Sequence, residues 1–137
     1  MASALYPLFK QSLLSQSPSV DLDTDTIKVA LVNTSTDYTY SSAHQYKSSV
    51  TSYSGTTDQT LGTVSITNGV FDAADSTFTA VAISGSKTVQ ALVVYKDTGS
   101  AATSPLIAYI DGFTAVTPNG GNITVTWDNG ASKIFAL

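Results

Sequence analysis

His44 is the only histidine in the sequence. Any Ser-His-Asp relay would have to run through it, because imidazole can take and return a proton near neutrality. Ser and Asp are abundant, so their coexistence with one His specifies nothing. No Ser stands in the strand-turn-helix setting that exposes a nucleophile. A loop or hydrogen-bonding role is expected for His44. Asp21, Asp23 and Asp25 have the spacing that opens a calcium loop. The rest of that pattern fails, since Thr26 stands where the turn needs glycine and Val32 where a bidentate glutamate belongs. A polar entry into a strand, with Asp25 or Thr26 in a turn, accounts for the run without a metal. Carboxylate pairs for glycoside hydrolysis are compatible with the spacing, but such enzymes generally work in an extended cleft and the chain has 137 residues. No catalytic residue, metal or cofactor is expected.

Tyr38, Tyr40, Tyr46 and Tyr53 are the best candidates for binding. Tyrosine combines a flat apolar face with a hydroxyl, which suits stacking on sugar rings, a protein interface or packing on a β-surface. The Asn-X-Ser/Thr triplets at Asn33 and Asn122 would be glycosylation acceptors only in a secretory pathway, which nothing else indicates.

Strands must position these side chains. Charged residues are 12% of the chain, about half the usual share, and all are Asp or Lys. Ser and Thr take the polar positions that Glu, Arg and Gln would fill on a helix, so the composition favours β-structure. Hydrophobic residues at 42% suffice for a folded core. Without cysteine there is no disulfide, thiolate metal site or Cys nucleophile. The first twenty residues lack the charged start and continuous apolar run of a secretion signal, and no stretch approaches a membrane span. A net charge of −4 with six lysines makes nucleic acid an unsuitable partner, because phosphate binding needs clustered cations.

One helix is predicted over 3–15, where Ala4, Leu5, Leu8, Phe9, Leu13 and Leu14 fall roughly at helical spacing. Pro7 is tolerable there only in the first turn, and Ser17-Pro18-Ser19 ends the segment. Residues 1–20 are thus either a helix docked on the sheet or an arm reaching a neighbouring chain. Residues 21–137 read as a single β-sandwich domain. Strands are predicted at 27–33, 61–67, 70–71, 77–83, 88–96 and 105–111. The interval 34–60 is long, polar and aperiodic, which predicts short strands or a functional loop. In 122–127, Ile123, Val125 and Trp127 alternate with polar residues, and Asp128-Asn129-Gly130 reads as a turn back to a strand at 133–137. The expected fold is mainly β: an antiparallel β-sandwich or jelly-roll-like barrel with a short N-terminal helix or arm.

Two segments resemble a family of small tailed-bacteriophage virion proteins. They are DTIKVALVNTSTDYTYSSAHQYKSSV at 25–50 and ALVVYKDTGSAATSPLIAYIDGFTAVTPNGGNITVTWDNGASKIFAL at 91–137. The Ala4-Leu5-Tyr6 and Phe9 start and the Asp128 to Leu137 ending match that family's pattern, while 51–87 is least similar. The resemblance implies a decoration or cement protein on the outer surface of the phage head. Its partner would be the major capsid protein, and a dimer or trimer would suit a symmetric lattice. Leu5, Leu8, Phe9 and Leu13, with Tyr38, Tyr40, Tyr46 and Tyr53, are the expected capsid or oligomer contacts. The alternatives are a glycan-binding or host-attachment module of a fibre or tail, which would use the tyrosines, and a small hydrolase, which would depend on His44.

Overall fold

The computed structural model describes residues 3–137. Ten strands and one α-helix follow in the order β1 (Ala4–Leu5), α1 (Pro7–Ser15), β2 (Ile27–Val32), β3 (Gln59–Thr60), β4 (Ser65–Thr67), β5 (Val70–Asp72), β6 (Ser76–Phe78), β7 (Ala91–Lys96), β8 (Leu106–Ile110), β9 (Ile123–Val125) and β10 (Phe135–Ala136). They form a five-stranded sheet, β1-β8-β7-β2-β3, a three-stranded sheet, β10-β5-β4, and a two-stranded sheet, β6-β9. All pairings are antiparallel. The protein is mainly β and sandwich-like, and the sheets do not close into a barrel.

The apolar runs in β2, β7 and β8 are continuous because both faces of the large sheet are covered. Register aligns Leu31, Leu92 and Ile110 in one row and Ala30, Val93 and Tyr109 in the next, on the opposite face. A bulge between Val94 and Tyr95 shifts the β7–β8 register near the sheet's end. The β4–β5 hairpin turns at Asn68 and Gly69, both with positive φ (52° and 78°), the two-residue turn that Asn-Gly favours.

The helix begins at Pro7, four residues later than the sequence pattern suggests. Tyr6 is extended, as the residue before proline prefers, and its N–H donates to the Ile107 carbonyl at 3.0 Å. Ala4 and Leu5 are then held as an edge strand opposite Tyr109 and Ala108. Tyr6 is fully buried, and Phe9, also buried, meets Phe135 edge-on at 6.0 Å between ring centres. Of the two readings for residues 1–20, the structure has the helix docked on its own domain and corrects the free arm. Apolar spacing marks the buried face of a helix but cannot tell which molecule buries it.

The terminal hairpin is also corrected. β9 pairs with β6, so that Ser76, Thr77 and Phe78 face Val125, Thr124 and Ile123. β10 pairs with β5 instead, placing Phe135 opposite Phe71 with ring centres 5.1 Å apart. The residues between them make turns, with Gly130 N–H donating to Asp128 Oδ1 at 3.1 Å. Alternation set which side chains turn inward (Trp127 is buried, Ile123 and Val125 half-buried) but not which strand they pair with. The predicted strand at 61–67 is likewise divided, because pairing residues lie on either side of Leu61–Val64, while Leu61 itself is a buried plug.

Candidate functional site

Most of the residues with chemical potential are committed to holding long connections on the large sheet. Tyr38 is buried in the 34–60 stretch, and its hydroxyl lies 2.8 Å from Tyr6 Oη and 3.0 Å from His44 Nδ1. All three groups are satisfied when Tyr6 donates to Tyr38 and Tyr38 donates to Nδ1, which places the imidazole proton on Nε2. Burial, followed by the hydrogen bond to Tyr38, pushes the Tyr6 phenol far above its ordinary range, so it acts as a neutral strut. Tyr40 packs against Tyr6 and Tyr109, with ring centres 5.3 and 5.1 Å away. His44 thus ends a hydrogen-bonded strap across the Tyr109 face of the sheet. No serine is bonded to its ring among the described residues.

Tyr53 is buried, donates to the Ala82 carbonyl at 2.9 Å and accepts from Ser84 N–H at 3.0 Å. Gly55 is required beside it, since a Cβ there would collide with the Ala82 carbonyl oxygen and the Tyr53 ring. Tyr46 is half-buried and bridges to Pro105. Tyr95, which sequence reading left aside, donates to Asp58 Oδ2 at 2.6 Å beneath Lys47. Burial, then Asp58, raises its phenol well above the ordinary range. As contact candidates, Phe9, Tyr38 and Tyr53 are corrected: their faces are inside the protein, because an aperiodic aromatic loop is here a set of plugs for a sheet face. Leu5, Leu8, Leu13, Tyr40 and Tyr46 are each half-buried.

The carboxylates are accounted for in the same way. Asp21 Oδ1 accepts from the Asp23 and Thr24 amides, and Asp25 Oδ2 accepts from Asp21 N–H at 2.7 Å and pairs with Lys96 at 2.9 Å. This is a self-bonded turn at the entry to β2. Lys28, Lys47, Lys87, Lys96 and Lys133 each lie 3.8 Å or less from an aspartate. Asn33 is buried, donating to the Thr88 carbonyl and accepting from the Ser35 and Thr36 amides, so its glycosylation triplet is inaccessible in the fold.

One of these pairs gives a pH test. Lys87 Nζ donates to Asp37 at 2.6 Å and holds that carboxyl below its ordinary value of 3.8. A depressed folded pKa stabilises the fold fully above the unfolded value, and that stability is lost as pH falls through the folded one. Asp37→Asn is therefore expected to lower the melting temperature at pH 7, with the deficit shrinking as pH falls below about 4. Melting curves of both proteins across that range check it, and a deficit independent of pH would contradict the ion-pair assignment.

What remains open is an apolar groove of about 480 Å³. Leu31, Leu92 and Ile110, the register row on one face of the large sheet, line it together with Val89 and Val116. Five consecutive residues, 123–127, line another part, and Asp111 to Thr114 also contribute. Phe113, 37% exposed, is among the few large apolar side chains left in solvent. Trp127 is buried, yet among the described residues its indole N–H has no acceptor, and neither does the buried Ser76 hydroxyl find a partner. Alternation in the sequence places Trp127 in the core, where it lies, but does not mark the groove. The period-two alternation of 122–127 was the available signal, but it gave no second wall. Comparison of the chain with models of known protein families, with curated proteins and with solved structures finds no match in any of the three.

Proposed function

We propose that this protein is a non-enzymatic structural module of a phage virion, seated on the outer surface of the capsid head. There it would stabilise the lattice by binding the major capsid protein through the apolar groove. The observation that carries the reading is the groove itself. It is a largely apolar cleft, with a buried floor at Leu31, Val89 and Leu92 and a half-buried rim at Ile110, Val116, Ile123 and Val125, in a fold whose Tyr6, Tyr38, Tyr53, Tyr95, histidine and most ions are already paired internally. The resemblance of 25–50 and 91–137 to small virion proteins supplies the partner. Contacts made only with the assembled shell would stabilise it by mass action, and a dimer or trimer would match a symmetric lattice.

Co-sedimentation with undecorated heads tests this. Binding is expected, and raising the salt from low to high should change occupancy by less than about threefold, because the lysines in ion pairs have little charge left to offer. Val125→Asp, which puts a charge into the groove, should remove binding. Ser65→Asp, which puts the same charge on the exposed strand β4 outside the groove, should leave binding unchanged. Absence of the wild-type protein from sedimented heads at every salt concentration would overturn the capsid reading.

A further inference from the structure

One side of the groove is lined by β9 and the two residues after it. Among the described residues β9 has a single neighbour, β6. Trp127 N–H points to that side, donating to Asp75 Oδ1 at 3.0 Å. Amide direction alternates along a strand, so the N–H groups of Ile123 and Val125 also point towards β6. Those of Thr124 and Thr126, with their carbonyls, point the other way. The 3.3 Å approach of the Thr77 and Thr124 hydroxyls fits this register, since side chains are closer in the non-hydrogen-bonded pair. Thr124 and Thr126 side chains lie on the face opposite Ile123, Val125 and Trp127, yet both residues line the groove. Alternation therefore leaves their backbone as the part turned towards the groove. No main-chain hydrogen bond reaches either from another element among the described residues.

We infer that the outer edge of β9 takes up one extended segment of a partner polypeptide by strand addition. The inference rests on the reading of the groove as the contact surface. The N–H and C=O groups of Thr124 and Thr126 pair with alternate residues of the incoming segment. Its inward side chains, which must be apolar, enter the groove against Ile110, Val116 and Trp127. Residues 123–127 span about 17 Å at the usual strand rise, enough for about five partner residues. β9 lines the groove together with Gly112, Phe113 and Thr114 and with Asp128, Lys133 and Ile134. A free edge beside an apolar slot is the arrangement in which main-chain bonds give affinity and alternate side chains give selectivity.

Residue-resolved amide hydrogen exchange on the full chain tests this. The probes are synthetic octapeptides alternating Thr with Val, Ile or Phe, and the controls are the same peptides N-methylated at every residue. In the free protein the Thr124 and Thr126 amides should exchange at least about tenfold faster than those of Ile123 and Val125. Saturating peptide should slow them at least about tenfold, and the N-methylated controls should not. Thr124→Pro removes one outward donor at an edge position where proline is tolerated, and should weaken peptide binding. Should that variant not fold, the wild-type exchange pattern still decides. Slow Thr124 and Thr126 exchange in the free protein would overturn the inference, as would no response to any peptide or equal binding of the N-methylated controls. Protection that rises with protein concentration alone would assign the edge to a second copy and overturn the single-segment reading. Peptide binding without head binding would overturn the capsid reading and leave the edge assignment standing. Head binding without peptide binding would do the reverse.

Discussion

Deleting residues 1–19 is expected to abolish soluble folding. The segment supplies Tyr6 and Phe9, both buried, and the edge strand β1 that covers part of β8. Truncating a buried phenylalanine costs about 3–5 kcal/mol, a large share of the roughly 5–15 kcal/mol by which domains are typically stable. Phe9→Ala alone should therefore show a strongly lowered denaturation midpoint. Loss of Tyr6 would also remove the hydroxyl that Tyr38 meets at 2.8 Å, unfastening the 34–60 strap from the sheet. Thermal or urea unfolding of Phe9→Ala, and the soluble yield of the deletion, are the measurements. A deletion variant that melts like the full chain but no longer binds heads would restore the arm.

Truncation after Asp128 should be nearly as damaging, for a reason other than loss of a hairpin. It removes Phe135, whose ring lies between Phe71 and Phe9 at 5.1 and 6.0 Å. It also removes the strand that receives the outer edge of β5, where Ile134 N–H donates to the Phe71 carbonyl at 3.1 Å. Two buried rings would face water, and Phe135→Ala should cost about 3–5 kcal/mol. The two truncations act on one aromatic cluster, so the costs of Phe9→Ala and Phe135→Ala should be non-additive by about 0.5–3 kcal/mol in a double-mutant cycle. Strict additivity, or an unchanged melting curve for Phe135→Ala, would show that the cluster is peripheral.

The class of the fold and its inner strands are legible in the residues alone. Scarce charge, Thr-rich polar positions and the apolar runs of β2, β7 and β8 leave few alternatives to a β-protein, because these strands are buried on both faces and need no partner to declare their type. Asn68-Gly69 likewise encodes its own turn. Long-range packing settled everything else, wherever one local pattern has more than one possible partner. The spacing of Leu5, Leu8, Phe9 and Leu13 suits a docked helix or an arm, and packing on Phe135 chose the helix. The alternation at 122–127 suits any neighbour, and long-range register gave β9 to β6 and β10 to β5. The tyrosines of 34–60 suit a binding face or a plug, and hydrogen bonds to residues 32 and 29 positions away made plugs of Tyr38 and Tyr53. The open edge at Thr124 and Thr126 was invisible in the sequence for the same reason. Whether a strand has a second neighbour is a property of the assembled sheet, and no residue type records it.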